Sequence, residues 1–143
     1  MSTITIGAIN SPMAAAIPAS PASNPRPVSN AETRKLLVYL AGPYSGGNVV
    51  ENVRNAVYCA NRIRDMGFVP ILPHMSHFWD MITPKPYEYW IKYDFDLIER
   101  CDCLLRFDIV SESPGADREE QFARDHGIPV FYDLRELALF ANK

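Results

Sequence analysis

The chain has 143 residues, 48% of them hydrophobic and 22% charged, which suits one packed globular domain of ordinary size. A formal net charge of −3 and a pI near 5.6 argue against life on a polyanion, because such chains carry a basic surface. No apolar run approaches the roughly 20 residues that cross a bilayer, so neither a nucleic-acid polymer nor a membrane is an expected partner.

The N-terminus lacks the basic start and unbroken apolar stretch of a signal peptide, and the expectation is a cytoplasmic protein. Cys59, Cys101 and Cys103 make no secreted-type disulfide framework and have no further metal ligands beside them. They read as buried free thiols. Residues 1–34 are rich in Ala, Pro and Ser without hydrophobic period, and the expectation is a disordered tail before a domain over residues 35–143.

From Lys35 onward strand and helix signals alternate. Residues 36–40 are an apolar run closed by Gly42-Pro43, a buried strand and a turn. A helix opens at Asn48, with Glu51 completing a capping box. Val49, Val53, Ala56, Val57, Ala60 and Ile63 recur at helical spacing along it, and Gly67 stops it. Residues 68–72 give a second strand, followed by a loop rich in His, Pro and aromatics. Pro86 suits the first turn of a helix running to about Arg100. Residues 102–107 give a third strand and 111–115 a polar loop. Residues 116–126 form a helix stopped by Gly127, and 128–131 a fourth strand. Asp133 with Glu136 caps the last helix.

This order predicts an α/β fold: a single-domain, doubly wound, mostly parallel sheet of Rossmann-like or flavodoxin-like type, with helices on both faces. Ligands of such sheets bind beyond the carboxyl ends of the strands, which nominates residues 42–48, 73–80 and 108–119. The first of these reads equally as an anion cradle at a helix N-terminus or as a tight turn that needs glycine. In the last, Ser111, Ser113 and Gly115 precede a helix whose first turn holds Asp117, Glu119 and Glu120. Acidic residues there are ordinary dipole partners, though one placed past a glycine loop can face a ligand. His74, His77 and Asp80 have a spacing open to a metal ion, but nucleobase-pocket or structural roles are the expectation. Tyr87, Tyr89, Trp90 and Tyr93 are expected to pack their helix on the core, with one or two lining a base pocket. Asp94 and Asp96 fall on different helix faces, Asp96 toward solvent.

Three segments together resemble the nucleoside 2-deoxyribosyltransferase superfamily, which includes relatives that hydrolyse nucleoside 5′-monophosphates and small phage and bacterial members. They are Tyr39-Leu40-Ala41-Gly42-Pro43-Tyr44-Ser45-Gly46-Gly47, Asp94 eight residues before Asp102, and Ser113-x-Gly115-x-x-x-Glu119-x-x-x-Ala123. The resemblance spans residues 36–131. It implies Glu119 as the nucleophile at the anomeric carbon, Asp94 as its support and sugar contact, and Tyr39 beside both. It places the Gly46-Gly47 turn along the sugar or phosphate side, and Gly42, Tyr44 and Ser45 of the same loop and His74 join the expected substrate-binding residues. It puts Ser113, with Gly115, where a 5′-phosphate would be held. Ser113 tilts the expectation toward a phosphorylated substrate, although a loop serine bonding its own backbone is an equal reading. Ser45 stands where the better-known hydrolases carry arginine, which leaves phosphate to backbone amides, Ser45, Ser113 and Arg118.

The expected activity is cleavage of the N-glycosidic bond of a (deoxy)nucleoside or its 5′-monophosphate through a glycosyl-Glu119 ester, resolved by water or a second base. That chemistry uses no metal or cofactor. Base exchange on free nucleosides and a non-catalytic nucleotide-binding or sensing module are the alternatives. The partner implied is a small nucleoside or nucleotide, with a homodimer or higher homo-oligomer as the assembly.

Overall fold

The structure, a computed structural model, describes residues 34–143; the expected tail falls outside them apart from Arg34. The chain order is β1 (Leu37–Ala41), α1 (Val49–Asp65), β2 (Val69–Ile71), a 3-10 turn (Pro73–Met75), α2 (Ser76–Ile82), α3 (Tyr87–Ile98), β3 (Cys103–Arg106), α4 (Pro114–Asp125), β4 (Val130–Phe131) and α5 (Leu134–Ala141). The four strands pair in parallel in the order β2-β1-β3-β4, with Val38 opposite Cys103 and Ala41 opposite Arg106.

Side chains alternate across the central strands and divide the core in two. Val38, Leu40, Cys103 and Leu105 pack on one face against Ala60 and Ile63 of α1 and Leu137 of α5. Tyr39, Ala41 and Leu104 pack on the other against Ile98 of α3 and Ala116 and Ala123 of α4. This is the doubly wound α/β fold with helices on both faces. Because β1 and β3 are adjacent while the chain winds outward from them in opposite directions, the crevice between their carboxyl ends is the topological switch point.

Caps fix the helix starts that position the site. The Asn48 side chain accepts from the Glu51 amide, one half of the expected capping box. Asp133 accepts from the Arg135 and Glu136 amides, while the Glu136 carboxylate takes the Tyr132 amide. Ser113 caps α4 by accepting from the Ala116 amide.

Several expectations shift. The segment after β2 is a 3-10 turn and a short helix, where a loop was expected. Pro86 precedes its helix with an extended ψ of 150°, as the N-cap. α4 starts at Pro114, which moves Glu119 from the first turn into the second and turns it inward. The core stripe of α3 is Ile91, Asp94 and Ile98, whereas Tyr87 and Tyr89 are exposed. Asp96 is exposed, as its spacing predicts. All three cysteines are free thiols; Cys101 and Cys103 are buried and Cys59 half-buried. Among the described residues no helix is long and apolar enough to cross a membrane.

Candidate functional site

A cavity of about 450 Å³ opens at the switch point, within the range of small-molecule sites. Three of its walls each come from the chain that follows one strand. Gly42, Tyr44, Ser45 and Gly46 follow β1, Pro73, His74 and Asp80 follow β2, and Glu112, Ser113, Gly115 and Glu119 follow β3. α3 adds Tyr87, Trp90, Ile91 and Asp94.

Gly42 lies against the Phe107 ring, where an added Cβ would meet Cζ at 2.2 Å, so only glycine lets the first loop turn this close. Gly47 lies outside the cavity wall; its φ of +74° serves the turn itself. Asn52, on the first turn of α1, ties that loop down by donating to the carbonyls of Tyr44 and Gly46 at 2.8 and 2.7 Å. His74 is buried and donates from Nε2 to the Pro43 carbonyl at 2.9 Å, which joins the loops after β1 and β2. Burial holds its basicity below the usual histidine value, against the pull of the Pro43 and Gly42 carbonyls.

His77 and Asp80 have partners of their own. The Tyr44 hydroxyl and His77 Nδ1 are 2.6 Å apart. Asp80 accepts from Trp90 Nε1 at 2.6 Å and from the Lys85 amide at 3.0 Å. These two donors hold its carboxylate below the ordinary range. No group of His, Cys, Asp or Glu among the described residues has the arrangement of a metal site.

At the inner end of the cavity sit two buried carboxyl groups, Glu119 with 6% and Asp94 with 7% of its surface exposed, and the fully buried Tyr39 lies beneath the wall. β1 places Tyr39, α3 places Asp94 and α4 places Glu119, so three separate elements converge on one point. Burial raises Glu119 well above the carboxylate range and the Asp94 charge raises it further, while the Tyr39 hydroxyl opposes the rise. Burial pushes Asp94 up to about 7. Burial and then the charge of Glu119 push Tyr39 above the usual phenol value. The three groups feel one another's charge, yet Tyr39 Oη, Asp94 Oδ1 and Glu119 Oε2 are each buried without a hydrogen-bond partner within the protein. Such atoms are costly to leave unpaired and are concentrated at functional sites.

Ser113 is buried on the wall, and its oxygen already accepts the Ala116 amide; its proton remains available to a ligand. Arg118 lies off the wall and forks onto Glu88 at 2.6 and 3.0 Å, so it is removed from the phosphate contact expected of it. Among the described residues the cavity is lined by Asp80, Asp94, Glu112 and Glu119 and by no Lys or Arg.

One residue at the site escaped the sequence reading. Arg106, the last residue of β3, is buried behind α4. It donates from one nitrogen to Asp117 at 2.8 Å and Glu120 at 3.2 Å, and from Nε to the Asp108 carbonyl. A cation inside the apolar run Leu104-Leu105-Arg106-Phe107 was the available signal, since Arg is almost never fully buried unless paired.

A family model described as a domain of unknown function, DUF7768, matches residues 36–133. The chain belongs to this family. The match takes in all four strands, all three connections that build the cavity, and Tyr39, Asp94, Arg106 and Glu119, so the site lies wholly inside the DUF7768 domain. No curated protein matches the chain in sequence. Among solved structures, the 2-deoxyribosyltransferase of the psychrotolerant bacterium Bacillus psychrosaccharolyticus is similar with a TM-score of 0.51. It is 19% identical, and the alignment covers 66% of this chain and 69% of that one. At this identity the likeness is one of fold.

Proposed function

We propose that the DUF7768 domain cleaves the N-glycosidic bond of a nucleoside, with Glu119 as nucleophile. The observation that carries this reading is the pair of buried carboxyl groups, Glu119 and Asp94, sharing the inner end of one cavity with the Tyr39 hydroxyl behind them. Breaking a glycosidic bond develops positive charge at C1′, and a carboxylate there can stabilise that charge and then bond to it. Two neighbouring carboxyls resist double ionisation, so the pair keeps one proton. Burial favours the protonated form of both carboxyls, and Glu119 attacks from the form in which that proton sits on Asp94.

Glu119 attacks C1′ as the C1′–N bond breaks, its electron pair leaving with the base, which takes up a proton. Water or a second base then displaces the glycosyl ester and regenerates the carboxylate. Asp94 and Tyr39 hold and orient Glu119 through both steps. The 2-deoxyribosyltransferase activity of the solved structure with this fold agrees with nucleoside-directed glycosyl chemistry.

The charge of the wall bears on the substrate. With four acidic residues and no Lys or Arg in the lining, a phosphate dianion would meet repulsion with only backbone amides and the hydroxyls of Ser45 and Ser113 to hold it. A neutral 5′-hydroxyl suits Ser113 better, and the free nucleoside is preferred over its 5′-monophosphate. Transfer and hydrolysis differ only in the acceptor.

The test is chromatographic product analysis with a panel of nucleosides and 5′-monophosphates, alone and with a second base. Free base, or exchanged nucleoside, is expected from nucleosides, and Glu119→Ala should lose it by roughly 10³-fold or more. Turnover of monophosphates alone would reverse the substrate preference. Ligand binding that survives Glu119→Ala in a protein with no turnover would favour a sensing module.

A further inference from the structure

Among the described residues the cavity wall carries four acidic residues and no Lys or Arg, yet its proposed nucleophile has to ionise. The compensating charge comes from behind the wall. Arg106 ends β3 with its side chain 6% exposed, and α4 lies over it. Its guanidinium bonds Asp117 at 2.8 Å and Glu120 at 3.2 Å, the residues on either side of Glu119 along α4. The Asp108 carbonyl accepts from its Nε at 3.2 Å and fixes the plane of the fork. Among the groups that act on Glu119, Arg106 is the cation, and it favours the charged form.

The partners of Arg106 limit its effect and can be altered separately. Asp117 is 68% exposed, so its charge is well screened by solvent. Glu120 is shared, since Arg124 also donates to it at 3.1 Å and the Tyr132 hydroxyl bonds the same oxygen. Arg106 is therefore a buried, ion-paired cation held against α4 from the sheet side. A lysine would supply a point charge without the planar group that bonds α4 through one nitrogen and the Asp108 carbonyl through Nε.

We infer that Arg106 is a positioning residue of the glycosyl-transfer site, fixing α4 from beneath through Asp117 and Glu120 and placing a buried cation behind the turn that carries Glu119. This rests on Glu119 being the reacting group. Its consequence has a sign that a merely structural salt bridge lacks. Removing the cation should raise the midpoint of Glu119 ionisation, and removing an anion that neutralises the cation should lower it.

The experiment is a 13C NMR titration of the Glu119 carboxyl in the full chain labelled at glutamate Cδ, with Glu119→Gln to assign the resonance. It is run on wild type, Arg106→Met, Arg106→Lys and Asp117→Asn, alongside pH profiles of kcat/KM on the nucleoside that turns over fastest. Arg106→Met is expected to move the midpoint up by about one unit, with kcat/KM about tenfold lower on the acidic limb and recovering at higher pH. Arg106→Lys should stay within a few tenths of a unit of wild type while losing kcat through the looser helix. Asp117→Asn should move the midpoint down. Should Arg106→Met fail to fold, the Asp117→Asn shift carries the test, because Asp117 lies at the surface. A midpoint unmoved in folded Arg106→Met, or moved upward in Asp117→Asn, overturns the inference. The titration needs no turnover, so absence of nucleoside cleavage would count against the proposed function and leave this result readable.

Discussion

Between Glu119 and Asp94 the folded chain keeps a proton that the unfolded chain releases. Asp94 titrates at about 7 in the fold against an ordinary 3.8, so between those values the native state binds more protons than the unfolded one. Unfolding free energy therefore falls as pH rises through that window, and it goes on falling above it for as long as the raised Glu119 carboxyl keeps its proton in the fold. Asp80, Glu88, Asp102 and Asp108 shift downward, so what they contribute is present above their ordinary values and is lost below about pH 4. Thermal unfolding should accordingly show wild type most stable near pH 4–5 and weaker at 7.5. Asp94→Asn, which removes the buried charge, should flatten that slope and melt higher at pH 7.5, by an amount worth roughly 1–3 kcal/mol. The same variant should lose about 10²–10⁴ in kcat/KM, since Asp94 can no longer hold and return the shared proton. In wild type, kcat/KM should rise as pH climbs through about 7, where the pair first loses a proton. A profile flat from pH 5 to 9 would contradict that assignment.

The connections after the strands hold the site together, and caps and close approaches fix their shape. Ser113→Ala removes the cap of α4 and should cost about 1 kcal/mol in denaturant unfolding. It should also raise KM for nucleosides, whereas a purely structural cap would leave KM alone. Gly42→Ala forces a Cβ into the Phe107 ring and should cost roughly 1–3 kcal/mol, with weaker ligand binding as the first loop is displaced.

The strands, α1 and the last two helices were legible in the sequence because apolar periodicity, Asn48, Asp133 and the stop glycines agree locally with the fold. α2 was hidden: seven residues with Phe78, Trp79, Met81 and Ile82 facing solvent carry no amphipathic signal to separate them from a loop. The inward turn of Glu119 was hidden for a related reason. Taking the helix to begin at Ala116 leaves an acidic triplet reading as dipole partners; only the cap at Ser113 sets which of the three turns inward. Tyr87 and Trp90 furnish the cavity wall and Tyr89 is exposed, where helical spacing alone suggested core.

On the scale of the whole molecule, the described residues put the two core clusters and the cavity within residues 34–143. Beside the cavity, α2 presents Phe78, Met81 and Ile82 to solvent, Ile82 with 81% of its surface exposed. Apolar exposure of this kind fits the homo-oligomer that the resemblance implies. Light scattering should give a mass above that of one chain, reduced in Ile82→Glu; a monomeric wild type would rule the assembly out.

A bond between Glu119 and the sugar can be caught by acid-quenching the protein during turnover of a nucleoside, digesting it, and measuring peptide masses. One added glycosyl group is expected on the peptide containing Glu119, localised to that side chain by fragmentation and absent in Glu119→Ala. Turnover that continues in Glu119→Ala, or a glycosyl group found on another residue, would contradict Glu119 as the nucleophile.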